Sequence, residues 1–228
     1  MTLPSPFPRA PRAILFDLDG TFADTAPDLT HALNRMRAAR GLDAVPLAQT
    51  RPVTSSGARG MLAVGFGLTP ADAGYVAMRE EFLRLYEDEL CRDSTLFPGM
   101  AKLVAGIVSR SLCWGIVTNK AERYARPLVA ALAPDLGCRC IVGGDTTPHL
   151  KPHPASLLAA CSMLGIAPAD AVYVGDDERD VRAGQAAGTR TVAVRYGYLN
   201  GGAPDRWGAD AVIDRPEDLL DLLPASGT

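Results

Sequence analysis

One segment near the beginning of the chain, residues 14–21, reads Ile14-Leu15-Phe16-Asp17-Leu18-Asp19-Gly20-Thr21. A short apolar run that ends in turn residues is typical of a strand buried on both faces of a parallel sheet. Because side chains alternate along an extended chain, we expect Asp17 and Asp19 on the same side, where one carboxylate can act as a nucleophile and the other can transfer a proton. Like charges this close are costly without a counter-charge, so the pair itself indicates a metal or another cation. The alternative interpretation is an Asp-rich turn that caps a helix.

Four more short apolar runs, each followed by turn residues, predict strands over residues 114–117, 139–142, 171–174 and 191–194. Helical spacing of apolar residues predicts helices over residues 100–108, 124–132, 155–164 and 181–187. Strand and helix therefore alternate from residue 96 onward. This order predicts an α/β fold with a Rossmann-like, doubly wound parallel sheet as its core.

Residues 25–92 interrupt this alternation. Long helices are predicted over residues 27–40 and 71–90, with a glycine-rich helical stretch at 57–66 between them and no convincing strand. We interpret this region as an all-α cap inserted into a core made of residues 13–24 and 93–228. Residues 1–12 are rich in proline and are interpreted as a flexible N-terminal arm.

Composition excludes several classes of protein. The 228 residues are 47% apolar and 21% charged, enough for a substantial core. A net charge of −3 without a run of Lys or Arg argues against a nucleic-acid or membrane partner and favours a small-molecule substrate. No segment approaches the roughly 18 uninterrupted apolar residues of a membrane span, and the N-terminus lacks the apolar run of a signal peptide. We expect a cytoplasmic monomer or homodimer whose five cysteines stay reduced.

Two further motifs follow predicted strands or precede predicted helices. Thr118 and Asn119 end the strand at 114–117 and offer a hydroxyl and an amide that can hold an anionic oxygen, although either is also a common helix N-cap. Lys151 stands before Pro152, which restricts the lysine to an extended backbone and fixes the direction of its ammonium. A solvated loop lysine is the alternative for this residue.

An acidic cluster follows the predicted strand at 171–174. It contains Asp176, Asp177 and Asp180 at the start of a predicted helix. Hard carboxylate oxygens in this arrangement suit Mg²⁺, which prefers one or two carboxylates together with water and phosphate oxygens. Capping of the helix N-terminus by Asp176 and Asp177 is the alternative.

Taken in order along the chain, these four motifs resemble those of the haloacid dehalogenase (HAD) superfamily of phosphohydrolases. The resemblance covers nearly all of the chain after residue 12, and residues 25–92 resemble the small helical cap of that family. It implies that Asp17 is the nucleophile, that Asp19 is the general acid and then the general base, and that Thr118 and Lys151 hold the phosphate. Asn119 is expected to assist them.

The resemblance also implies a Mg²⁺ site. Its ligands would be Asp17, the backbone carbonyl of Asp19, and Asp176, with Asp180 supporting the water around the metal. Asp177 departs from the family pattern, in which Ser or Thr is common, and it could join the outer shell of the metal. Phe22 and Ala23 also depart from it, which should alter packing near the cap without changing the chemistry.

The cap contains one candidate substrate-binding loop, residues 51–60, which is rich in hydroxyls and glycine and carries two arginines. We expect Ser56, Gly57 and Arg59 to contact the substrate, since arginine binds carboxylates in bidentate fashion. Within the family the chain resembles bacterial phosphoglycolate phosphatases, and this loop also resembles that of N-acetylmuramic acid 6-phosphate phosphatases. Both of those substrates carry a carboxylate, which Arg59 would bind. A surface turn with solvated arginines is the alternative.

Other functions would use some of the same residues. A phosphomutase would use the same aspartyl-phosphate, and a non-catalytic relative is disfavoured because every catalytic position is filled. A dehalogenase does not need the acid at Asp19. A zinc site built from Cys138, Cys140, His149 and His153 is disfavoured because a Cys-x-Cys strand fits zinc-loop spacing poorly.

Overall fold

The structure is a computed structural model that describes Phe7 and residues 10–224. In chain order its strands are β1 (Ala13–Phe16), β2 (Ala23–Asp24), β3 (Thr95–Leu96), β4 (Cys113–Val117), β5 (Ile141–Val142), β6 (Ala171–Gly175), β7 (Arg190–Val194) and β8 (Ala211–Ile213). The helices are α1 (Ala26–Ala38), α2 (Leu47–Thr50), α3 (Gly57–Phe66), α4 (Tyr75–Asp88), α5 (Met100–Ser109), α6 (Glu122–Leu132), α7 (Ala155–Leu164), α8 (Glu178–Ala187) and α9 (Asp218–Leu222).

Six parallel strands form the central sheet in the order β5-β4-β1-β6-β7-β8. The chain builds outward from β1 to β4 and β5 on one side, then returns to β6, β7 and β8 on the other. The carboxyl ends of β1, β4 and β6 therefore lie next to each other where the strand order reverses, which is the usual ligand site of an open α/β sheet. The predicted α/β, doubly wound core is confirmed.

Both faces of the sheet are covered. Ile14, Phe16 and Trp114 pack into the larger core cluster on one face, whereas Leu15 and Tyr173 pack with α7 and α8 on the other. The four residues of β1 are fully buried, which explains why its sequence is continuously apolar instead of alternating.

Helices α1 to α4 form a helical layer with its own apolar cluster, which includes Leu33, Met36, Phe82 and Tyr86. The chain enters and leaves this layer through β2 and β3, which pair antiparallel. The predicted cap limits, residues 25 and 92, fall beside these two strands.

Some elements differ from the sequence expectations. Strand β5 is shorter than the predicted 139–142, although Arg139 N still donates a hydrogen bond to Trp114 O (2.9 Å). Strand β8 and helix α9 were not predicted. Helix α4 begins at Tyr75 instead of the predicted residue 71, because Gly74 has a left-handed backbone (φ +84°) that is not helical.

Most of the predicted N-terminal arm, residues 1–6 and 8–9, lies outside the described residues. Phe7 is described and is buried in the larger core cluster. Among the residues that the structure covers, no helix is both long enough and apolar enough to cross a membrane.

Candidate active site

A cleft of about 700 Å³ lies between the carboxyl edge of the sheet and the helical layer. Asp17 and Asp19 follow β1, Thr118 follows β4, and Asp180 lies in the first turn of α8 after β6. These side chains and Lys151, from the loop before α7, all line the cleft. Parallel strands place their carboxyl ends at one edge of the sheet, so residues distant in sequence meet here.

Lys151 is the cation at the centre of this group. Its buried Nζ lies 2.9 Å from Asp17 Oδ1 and 2.7 Å from Asp180 Oδ1, and it donates a hydrogen bond to Tyr173 Oη at 2.7 Å. Burial alone would lower the pKa of Lys151, but the attraction of the two carboxylates outweighs it and raises the pKa. The ammonium is therefore held in its charged form between two acidic groups.

Asn119 positions the backbone of Lys151. Its side-chain carbonyl accepts a hydrogen bond from Lys151 N (2.9 Å), and its amide group donates one to Lys151 O (3.1 Å). In this arrangement both polar atoms of the amide are already used. Asn119 therefore contributes by fixing the lysine loop, in addition to lining the cleft.

Three buried carboxylates, those of Asp17, Asp176 and Asp180, offer oxygen atoms that all lie within 4.8 Å of one another. Burial, followed by repulsion from neighbouring carboxylates, raises the pKa of Asp176 well above its ordinary range. Burial also raises the pKa of Asp17 to about 6, although the attraction of Lys151 opposes the shift. One ammonium does not balance three carboxylates, and apart from Lys151 Nζ at 2.9 Å no donor among the described residues contacts Asp17 Oδ1. The donor set therefore fits a hard divalent cation such as Mg²⁺.

Asp176 is held in place by the backbone around it. Its carboxylate accepts hydrogen bonds from Tyr198 N (2.8 Å) and Thr21 Oγ1 (3.2 Å). Gly20 lies so close that a Cβ atom there would approach Asp176 Oδ2 to 2.2 Å, and a Cβ atom at Gly197 would approach Asp176 Cβ to 2.3 Å. Glycine at both positions is what allows this carboxylate to reach the site.

Asp19 occupies the side of the cleft next to the helical layer. Lys120 Nζ lies 2.9 and 3.1 Å from its two oxygens, and Thr25 Oγ1 donates a hydrogen bond to it at 2.5 Å. The Lys120 ammonium also lies 4.8 Å from the centre of the Tyr86 ring, on α4. Sequence reasoning missed Lys120 and Tyr86. The position of Lys120 directly after Thr118 and Asn119 was the available signal.

Asp177 does not join the three clustered carboxylates. Its side chain accepts hydrogen bonds from Arg179 N (2.9 Å) and from the Arg179 guanidinium (2.8 Å), which lowers the pKa of Asp177 against the effect of burial. Asp177 caps α8, and Asp180 completes the capping box by accepting a hydrogen bond from Asp177 N (3.1 Å). The fourth carboxylate is therefore turned toward the helix instead of the three clustered carboxylates.

The loop at 51–60 contacts the core directly. Ser55 Oγ donates a hydrogen bond to Asp176 Oδ2 (3.3 Å), the Arg179 guanidinium donates to Ser55 O (3.0 Å), and Ser56 Oγ donates to Asn200 Oδ1 (3.2 Å). Ser56 and Gly57 also line the cleft.

Arg59 and Arg79 are exposed cations on the cap side of the cleft. Neither forms an ion pair or a hydrogen bond with another described residue, in contrast to Lys120, Lys151 and Arg179. Arg79 was not identified from the sequence. The cleft thus has two guanidinium groups available for an anion on the substrate.

The parallel sheet, the helical layer and the buried acidic cluster at the carboxyl edge of the sheet are the features of a hydrolytic enzyme with an α/β core. The chain belongs to the haloacid dehalogenase-like hydrolase family, whose model matches residues 14–194.

Individual relatives are similar over most of their length. An N-acetylmuramic acid 6-phosphate phosphatase of Pseudomonas putida is 44% identical over 213 residues, which cover 93% of this chain and 96% of the relative. A phosphoglycolate phosphatase of Xanthomonas campestris pv. campestris is 44% identical over 212 residues, covering 92% and 96%. The crystal structure of a predicted phosphoglycolate phosphatase from Haemophilus somnus has a TM-score of 0.81 at 25% identity and covers 92% of this chain and 97% of its own.

Proposed function

We propose that this protein is a Mg²⁺-dependent phosphoric monoester hydrolase that forms an aspartyl-phosphate on Asp17. The supporting observation is the cluster of three buried carboxylates, those of Asp17, Asp176 and Asp180, which have more negative charge than the adjacent Lys151 ammonium can balance. Asp17, Asp180 and Lys151 also line the cleft. The family match and the phosphatases among its relatives agree with this proposal.

In the first half-reaction, a carboxylate oxygen of Asp17 attacks phosphorus. The bond between phosphorus and the leaving oxygen breaks, and that oxygen takes the proton carried by Asp19. Lys151 and the Thr118 hydroxyl hold the phosphoryl oxygens. Asp17, Asp176 and Asp180 would hold Mg²⁺, which when bound would supply positive charge beside the transferring group.

In the second half-reaction, water attacks the phosphorus of the aspartyl-phosphate. Asp19 takes a proton from the water, and the bond between phosphorus and Asp17 breaks. Inorganic phosphate leaves, the Asp17 carboxylate is restored, and Asp19 again carries the proton needed for the next substrate.

The substrate we propose is a small phosphomonoester that bears a carboxylate, with phosphoglycolate as the first candidate. Relatives named for phosphoglycolate support this choice. A second candidate, N-acetylmuramic acid 6-phosphate or another sugar phosphate, is favoured by the volume of the cleft, about 700 Å³, and by the unpaired guanidinium groups of Arg59 and Arg79 on its far side. If Arg59 binds a carboxylate, Arg59→Ala raises KM for the carboxylated ester concerned. An unchanged KM for all such esters removes Arg59 from the proposal.

The direct test is a screen of the purified protein with Mg²⁺ against a panel of phosphate esters, with release of inorganic phosphate as the readout. Asp17→Asn keeps the shape of the side chain but removes the nucleophilic charge, so its rate should fall by at least about 10³-fold. An undiminished rate in this variant would overturn the mechanism. Interconversion of sugar phosphates without phosphate release would indicate a mutase instead.

We also propose a cytoplasmic location. All five cysteines are free thiols, and the buried pair Cys140 and Cys161 have pKa values raised by desolvation, to about 12 and about 11. Unreactive, unpaired thiols agree with a reducing compartment.

A further inference from the structure

We propose that Tyr86 and Lys120 form a subsite for a carboxylate attached to the carbon next to the ester oxygen of the substrate. This inference rests on the proposed function, because it assumes that Asp19 faces the leaving oxygen. It assigns the carboxylate of the substrate to a pair of residues other than the cap arginines.

The first observation is the Tyr86 hydroxyl. Tyr86 is 2% exposed and lines the cleft from α4. The Lys120 ammonium donates toward its Oη, but the phenol O–H itself has no acceptor among the described residues. Burial raises the pKa of Tyr86 to about 12 despite the nearby ammonium, so the phenol keeps its proton as a donor. A buried donor without an acceptor is costly, and a ligand oxygen in the cleft would satisfy it.

The second observation is the Lys120 ammonium. Its side chain is 8% exposed, and two of its hydrogens face the oxygens of Asp19 at 2.9 and 3.1 Å. An ammonium has three donors, and the third is directed toward the Tyr86 hydroxyl oxygen, which leaves the phenol proton for a ligand oxygen. Attraction by Asp19 outweighs burial and raises the pKa of Lys120, which keeps the charge in place. A positive charge and a neutral O–H therefore lie side by side next to Asp19.

Because Tyr86 and Lys120 lie next to Asp19, they can contact only a substrate carboxylate that is close to the ester oxygen. In phosphoglycolate a single CH₂ group separates the ester oxygen from the carboxylate, so a substrate whose ester oxygen contacts Asp19 brings its carboxylate to the neighbours of Asp19. In a sugar 6-phosphate with a carboxylate across the ring, that group lies much farther from the ester oxygen. Such a group would meet Arg59 or Arg79 instead.

The test is Tyr86→Phe, assayed with Mg²⁺ on phosphoglycolate, on ethyl phosphate, which lacks the carboxylate, and on N-acetylmuramic acid 6-phosphate. We expect kcat/KM for phosphoglycolate to fall by about tenfold or more, since a hydrogen bond to a charged group is lost. The values for the other two esters should stay within about twofold. The Tm should change little, because the phenol O–H donates no hydrogen bond to a described residue of the free protein.

Tyr196→Phe is the matched control. Tyr196 donates a hydrogen bond to Thr21 O (3.1 Å) and does not line the cleft, so this variant should leave the preference between phosphoglycolate and ethyl phosphate unchanged. An equal loss on ethyl phosphate in Tyr86→Phe, or no loss on phosphoglycolate, would overturn the subsite.

A binding measurement separates this inference from the proposed function. If the wild-type protein releases no phosphate from any ester, the proposed function fails. Calorimetric titration still tests the subsite in that case. The single variant Asp17→Asn and the double variant that also carries Tyr86→Phe are each titrated with phosphoglycolate and with ethyl phosphate. The subsite requires Kd for phosphoglycolate to rise about tenfold or more in the double variant, with no change for ethyl phosphate. Equal affinities for phosphoglycolate would contradict it.

Discussion

A single residue, Lys151, allows two carboxylates to be buried side by side. Asp17 and Asp180 lie on different elements, and both are within 2.9 Å of the Lys151 ammonium. Without that charge their repulsion would add to the cost of removing them from water. Lys151, which is proposed to hold the phosphate, therefore also stabilises the folded protein through its two ion pairs.

Lys151→Met should lower the free energy of unfolding by about 3–5 kcal/mol, because it leaves buried carboxylates without their partner. The measurement is urea unfolding at pH 8 without Mg²⁺. Lys102→Met, a matched change at an exposed lysine on α5, should stay within about 0.5 kcal/mol of the wild type. If both variants were equally stable, the ion pairs of Lys151 would not contribute to folding.

The sequence could predict which residues meet around Lys151, but not all of their neighbours. Asp17, Thr118 and Asp176 follow strands of one parallel sheet, so the fold class alone brings them to one edge. The contact between Lys120 and Tyr86 is different, because it joins the core to α4 and depends on how the cap packs. No local pattern encodes that packing. The roles of all these residues stay predictions.

At the scale of single elements, the turn after β1 shapes the proposed metal site. Gly20 has φ of +90°, which other residues rarely adopt, and it packs directly against the Asp176 carboxylate. The backbone of the turn after β1 thus determines where the Asp176 carboxylate, which follows β6, can lie.

Gly20→Ala should weaken Mg²⁺ binding by about 10–100-fold, because the new Cβ atom displaces Asp176. The measurement is the Mg²⁺ concentration that gives half-maximal thermal stabilisation. Gly41→Ala is the control: Gly41 also has a positive φ, +66°, but no atom lies within 4 Å of the added Cβ. It should cost about 1–2 kcal/mol of stability and leave Mg²⁺ binding unchanged. Equal Mg²⁺ affinities in the two variants would refute the steric argument.

Element boundaries were predictable where local chemistry sets them. Helices α3 and α7 end where the sequence indicated, because Gly67 and Gly165 adopt the left-handed conformation that terminates a helix. Strand β8 and helix α9 are three and five residues long, and segments this short carry too little periodicity to be recognised. Strand β5 is short because it pairs only at Ile141 and Val142.

For the molecule as a whole, hydrogen bonds connect the cap loop at 51–60 to the proposed metal site. Ser55 from the cap loop donates a hydrogen bond to Asp176, and Arg179 on α8 donates one to Ser55 O. These hydrogen bonds join the cap loop to the α/β core. A change in the charge of Asp176 should therefore alter the contact between cap and core as well as the stability of the core.

Global stability should therefore depend on pH and Mg²⁺ together. Burial raises the folded-state pKa of Asp17 to about 6 and raises that of Asp176 well above its ordinary value, so without metal these two groups bind more protons in the folded protein than in the unfolded chain. The stability contributed by these groups is fully present below the unfolded pKa, near 3.8 for Asp17, and is lost as pH rises through the folded pKa. Mg²⁺ binds the deprotonated carboxylates, so it competes with protons and offsets this loss.

We thus expect Mg²⁺ at about 100 times its Kd to add about 2.7 kcal/mol at pH 7.5, and the same concentration to add clearly less at pH 5.5. Thermal unfolding at the two pH values, with and without Mg²⁺, measures the difference. Asp176→Asn should nearly abolish the Mg²⁺ effect at both pH values, because it removes a ligand and one of the buried charges. A Mg²⁺ stabilisation of equal size at pH 5.5 and pH 7.5 in the wild-type protein would mean that the ion binds elsewhere, since only a site made of these raised-pKa carboxylates loses affinity as they take up protons.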